Sequence, residues 1–70
     1  MHNDNEYTYK KAIRAKASKS LGPTIALDLF LEFIRMWDAR EYKHANEIRT
    51  EAKDMQLYEA VSLMNQYTDL

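Results

Sequence analysis

Seventy residues without a cysteine can hold neither a disulfide framework nor a thiolate metal site, and a chain this short buries only about 60% of its unfolded surface. One glycine and one proline leave few turns and no phosphate-binding loop, so the residues that remain, rich in good helix formers, point to long helices. The net charge of −1 is unevenly spread: residues 1–20 carry Lys10, Lys11, Arg14, Lys16 and Lys19 against Asp4 and Glu6, while residues 21–70 hold five basic and nine acidic side chains, an asymmetry that fits partner binding or head-to-body contact.

The opening MHNDNEYTYKK lacks the apolar run of a signal peptide. A first helix is expected over about 4–20, capped by Asn3 or Asp4 and ended by Gly22, with Pro23 behind it. Its apolar positions, Tyr9, Ala12, Ile13, Ala17 and Leu21, form a narrow stripe of mostly small residues. A second helix over 24–37, with Thr24 as cap, contains the densest apolar segment. Ten of the thirteen residues from Ile25 to Trp37 are apolar, more than one face of a surface helix carries. That segment falls short of the roughly 20 residues needed to cross a bilayer and contains Asp28 and Glu32. The expectation is a soluble, cytoplasmic protein with no membrane contact.

Asp38-Ala39-Arg40-Glu41 has the form of a capping box and sets the start of a third helix over 38–54. Its stripe, Tyr42, Ala45, Ile48, Ala52 and Met55, does not run on into Leu57, Ala60, Val61, Met64 and Tyr67. The face changes near Lys53 to Gln56, so a fourth helix over 56–67, capped by Asp54, is expected unless the third simply continues. No repeat is apparent.

Three constellations could carry chemistry or binding. Glu41 and His44 lie three apart on one helix face and, with Glu32 from each chain of a dimer, outline a carboxylate metal site of the di-iron kind. Glu41 is already explained as a cap, so solvated surface residues are the simpler reading and no cofactor or metal is expected. Asp28 and Glu32 form a like-charged pair on the polar strip of the second helix, either facing water or meeting cations of the first helix. Lys10, Lys11, Arg14, Lys16 and Lys19, preceded by Tyr7 and Tyr9, outline a footprint for a polyanion or an acidic partner. The sequence pI near 6.1 and the missing helix-turn-helix spacing favour a solvated face over nucleic acid.

No nucleophile-and-base motif is present, so no enzymatic activity is expected. The fold expected is all-α, a small bundle of three to four helices over residues 1–70, completed by homodimerisation. Leu27, Phe30, Leu31, Ile34 and Trp37 are expected to fill the interface or core, opposite Ile48, Met55, Val61 and Met64. The functional expectation is a regulatory protein that binds another protein. A nucleic-acid-binding regulator and a dimeric metal-carboxylate bundle are the alternatives.

Overall fold

A computed structural model describes residues 2–69, with side chains from Asn5 to Asp69. Four helices account for nearly all of it: α1 (His2–Leu21), α2 (Ile25–Asp38), α3 (Tyr42–Asp54) and α4 (Tyr58–Thr68). No strand occurs among the described residues. Because α1 is already helical at His2, Asn3 and Asp4 stand inside its first turn rather than at its cap. Their side chains lie outside the described residues.

α2 and α4 pack on each other and each touches both remaining helices, while α1 and α3 make no contact with one another among the described residues. The pair α2 and α4 therefore forms the centre, with α1 and α3 on separate flanks. This placement accounts for the apolar density of α2. Ala26, Leu29, Phe30, Phe33 and Ile34 are buried, Leu27, Met36 and Trp37 are half-buried against the same core, and only Ile25 and Leu31 stay exposed. A helix flanked by three others needs a wide apolar face.

The other helices contribute smaller stripes. Ile13, Ala17 and Leu21 come from α1, Ala45, Ile48 and Ala52 from α3, and Ala60, Leu63, Met64 and Tyr67 from α4. Four alanines at the contacts, each with no exposed surface, let the backbones approach closely. Some expected core positions lie elsewhere. Tyr9 and Ala12 are exposed because the buried ridge of α1 steps by four from Leu21 back to Ile13 and then turns toward Lys10, which is half-buried. Met55 is exposed because it follows the last residue of α3, and Val61 is only half-buried.

Neither the Asp38–Glu41 capping box nor the Asp54 cap forms. α3 starts at Tyr42 rather than Asp38, and α4 at Tyr58 rather than Gln56, with no side-chain cap at either start. Asp38 and Asp54 are instead the last residues of the preceding helices. Each helix closes through a left-handed residue: Arg40 has φ 66° and Gln56 φ 62°. The Arg40 N–H donates to Trp37 O at 3.0 Å and the Glu41 N–H to Met36 O at 2.9 Å, and Gln56 and Leu57 repeat the pattern onto Lys53 O and Ala52 O. This is the Schellman closure, usually built on glycine. The segments 38–42 and 54–58 thus form a short structural repeat, Asp-x-x-x-Tyr in sequence.

An L-residue in the left-handed region costs about 1–2 kcal/mol, and glycine's extra backbone entropy returns roughly 0.5–1 of that. Arg40→Gly and Gln56→Gly are each expected to stabilise the fold by about 0.5 kcal/mol, read as a higher urea midpoint. Gly22, at φ 63° with open space where a Cβ would stand, is expected to respond the opposite way. Gly22→Ala should lower the midpoint through backbone conformation alone. Thr24 does occupy the N-cap of α2, but its hydroxyl donates back to Leu21 O at 2.9 Å instead of capping an N–H.

Candidate interaction surface

A carboxylate at a helix C-terminus faces the negative end of the helix dipole and needs compensation. Asp38, the last residue of α2, finds it on both neighbouring helices. From α1, the Lys10 ammonium reaches Asp38 Oδ1 at 3.3 Å and the Arg14 guanidinium reaches Oδ2 at 3.8 Å. From α4, the Tyr67 hydroxyl donates to Oδ2 at 2.7 Å. Lys10 also pairs with Glu6 at 3.4 Å and lies over the Tyr67 ring, 5.1 Å from its centroid. The ring packs edge-on against Phe30 at 6.3 Å, so one side chain joins the polar cluster to the core.

Tyr67 is 1% exposed, and its phenol is pushed up from 10.0 to about 12, first by burial and then by the hydrogen bond to Asp38 and that carboxylate's charge, with Arg14 opposing. The phenol is uncharged when protonated, so a folded-state value above the unfolded one makes its contribution complete below pH 10 and lost as pH rises through about 12. The wild-type protein is therefore expected to lose stability over that interval faster than Tyr67→Phe, in urea titrations run at successive alkaline pH values.

Around this cluster lies a groove of about 350 Å³ lined by Tyr7, Lys10, Lys11, Arg14, Asp38 and Tyr67. Of the five expected basic contacts, Lys10 and Arg14 are thus engaged inside the chain, whereas Lys11, Lys16 and Lys19 are exposed and form no ion pair among the described residues. Lys10 and Arg14 of α1 meet Asp38, while Asp28 and Glu32, read as either facing water or meeting cations of the first helix, form no ion pair among the described residues. Both lie on the outer side of α2, Asp28 exposed and Glu32 half-buried.

The five apolar residues expected at an interface divide. Phe30 and Ile34 are buried within the chain, while Leu31 is 40% exposed and Leu27 and Trp37 are half-buried. Trp37 stacks on Phe33 at 5.9 Å and meets the exposed Tyr42 edge-on at 4.7 Å, joining α2 to α3. Arg49, from α3, lies over Phe33 at 5.2 Å and donates to Asn65 Oδ1 of α4 at 2.8 Å. Sequence reading missed Arg49, a polar group at the rim of the core with no local pattern that marks it, and placed Tyr67 in the stripe of the last helix without foreseeing that its hydroxyl meets Asp38.

A second exposed apolar group gathers where the α1–α2 and α3–α4 turns come together. Leu21, Ala26, Leu57 and Tyr58 line one depression of about 290 Å³ there. Ile25, Met55 and Tyr58, in or beside these turns, are 53%, 45% and 62% exposed. A broader, shallow depression on α3 is lined by Lys43, Asn46, Glu47 and Thr50, side chains of one helix that converge on nothing.

Among the described residues no three His, Asp or Glu side chains gather to hold a metal ion, so Glu32, Glu41 and His44 do not make a site within one chain. Glu41 ends the α2–α3 turn and Glu32 belongs to α2 two turns earlier, which separates them along the helix axis. Among the described residues no helix is long and apolar enough to cross a membrane. Compared with protein-family models, with curated proteins and with solved structures, the chain matches none.

Proposed function

We propose that this chain is a small non-enzymatic protein that binds and regulates another protein, and that it acts as a homodimer. The observation that carries the reading is the set of large apolar side chains left on the surface after four helices have packed. On α2 these are Ile25 and Leu31, with the half-buried Leu27 and Trp37, the latter beside the exposed Tyr42. Phe30 and Ile34 support that helix from beneath rather than meeting a partner themselves. Aromatic and apolar residues concentrated on a rigid helix suit a protein interface.

Self-association is tested by light scattering of the protein from low to high micromolar concentration, where a dimer gives twice the 8.3 kDa chain mass. A monomer throughout would overturn the homodimer. Partner binding is tested by placing a photo-crosslinking residue at Leu31 and, as a control, at Thr50. An adduct of defined mass from position 31 and not from position 50 is expected in the source cells. Equal adducts from both positions, or self-adducts alone, would remove the regulatory partner from the reading.

A nucleic-acid reading rests on Lys11, Lys16 and Lys19 of α1, which are exposed and form no ion pair among the described residues. It predicts duplex binding that weakens steeply with salt and disappears when Lys11, Lys16 and Lys19 are changed to Gln.

A further inference from the structure

We propose that the homodimer forms by exchange of α1, so that the α1 helix of one copy seats on the α2 and α4 helices of a second copy. The inference rests on the dimer reading above and specifies how that dimer is built. The chain's own α1 shows what the receiving face recognises: an apolar ridge of Ile13, Ala17 and Leu21, with Lys10 and Arg14 set against Asp38. A second copy carries the same ridge and the same cations. Exchange reuses these contacts between chains and needs no new complementary surface.

Three features favour it here. First, α1 makes no contact with α3 among the described residues, so α2, α3 and α4 keep their mutual packing when α1 leaves. Second, the α1–α2 joint is the one of the three left-handed joints whose positive-φ residue is glycine. Gly22 adopts negative or positive φ with similar ease, so neither the closed nor the opened joint is strained, and Pro23 disfavours continuing the helix through it. Third, the exposed Ile25 stands at that joint, and the exposed Tyr58 lines a depression there with Leu21 and Ala26. When two chains trade α1 helices their joints are brought together about the two-fold axis, and these side chains gain a partner surface of their own kind.

The charges of the Asp38 cluster provide the test. Two variants are made, Asp38→Arg in one chain and Lys10→Glu with Arg14→Glu in another. Each alone sets like charges against each other, whether α1 stays or exchanges. In a mixed, exchanged dimer both contacts become opposite in sign. After the two proteins are mixed, with helicity of each checked by circular dichroism, native mass spectrometry is expected to show the heterodimer several-fold above its statistical share. The gain should fade in high salt. A statistical mixture of dimers would overturn exchange and leave the homodimer standing. A wild-type protein that is monomeric in the same spectrometer would overturn both. If either variant fails to fold, the milder pair Lys10→Glu and Asp38→Lys applies the same test, with the same two results deciding it.

Discussion

Phe30→Ala is expected to remove most of the protein's stability. Phe30 has no exposed surface and sits on the central helix, with the Tyr67 ring edge-on at 6.3 Å. Truncating a buried phenylalanine to alanine costs about 3–5 kcal/mol, part from lost transfer free energy and part from the cavity left behind. A chain of 70 residues has about 4–10 kcal/mol to lose at ordinary stability per residue. The urea midpoint should fall by half or more, and Phe30→Leu, which keeps most of the volume, should lose far less. Alanine at exposed Leu31 provides the contrast, with a shift below about 1 kcal/mol expected in the same titration. Equal effects at positions 30 and 31 would mean that α4 does not close over α2 as described.

That contrast also shows how much of the molecule is legible in its residues. The all-helical class and the joint at Gly22 and Pro23 follow from composition and one dipeptide. The buried Ala45, Ile48 and Ala52 of α3 and Ala60, Met64 and Tyr67 of α4 follow from spacing, whereas the buried Leu63 lies outside the expected stripe of α4, and Tyr42 and Met55, within that of α3, are exposed. The other two joints do not, because their left-handed residues are Arg40 and Gln56, which carry no local signal for that conformation. The nearby Asp38 and Glu41 imitate a capping box, but Asp38 is drawn away by partners 28 and 29 residues distant in sequence, Lys10 and Tyr67. Tertiary electrostatics decide the local structure there. The apolar run of α2 is readable as buried, yet sequence alone cannot apportion its neighbours. Three helices of the same chain cover most of it, and the exposed remainder collects at Leu31 and at the turn end with Ile25. The candidate surface is therefore smaller than the apolar count implies and lies partly outside the five residues that stood out.

Asp38→Ala is expected to cost about 2 kcal/mol and to loosen α1 before the rest of the fold. The substitution removes the acceptor of the Tyr67 hydroxyl and the counter-ion of Lys10 and Arg14 together. A hydrogen bond to a charged group is worth about 1.5–3 kcal/mol, reduced here because Asp38 is partly exposed, and each solvent-facing ion pair adds only about 0.2–1 kcal/mol. Removing a charge that opposes the α2 dipole returns a few tenths. Since α1 buries only Ile13, Ala17 and Leu21 among its described residues, the loss falls mainly on its attachment. Hydrogen exchange should therefore accelerate in α1 more than in α3. A double-mutant cycle with Tyr67→Phe should give a coupling of about 1 kcal/mol at neutral pH. Above pH 10 that coupling should shrink, because the unfolded phenol ionises there while the folded one stays protonated until about 12. A coupling indistinguishable from zero at neutral pH would show that the carboxylate and the phenol act independently, and would leave Asp38 acting only through its ion pairs to Lys10 and Arg14.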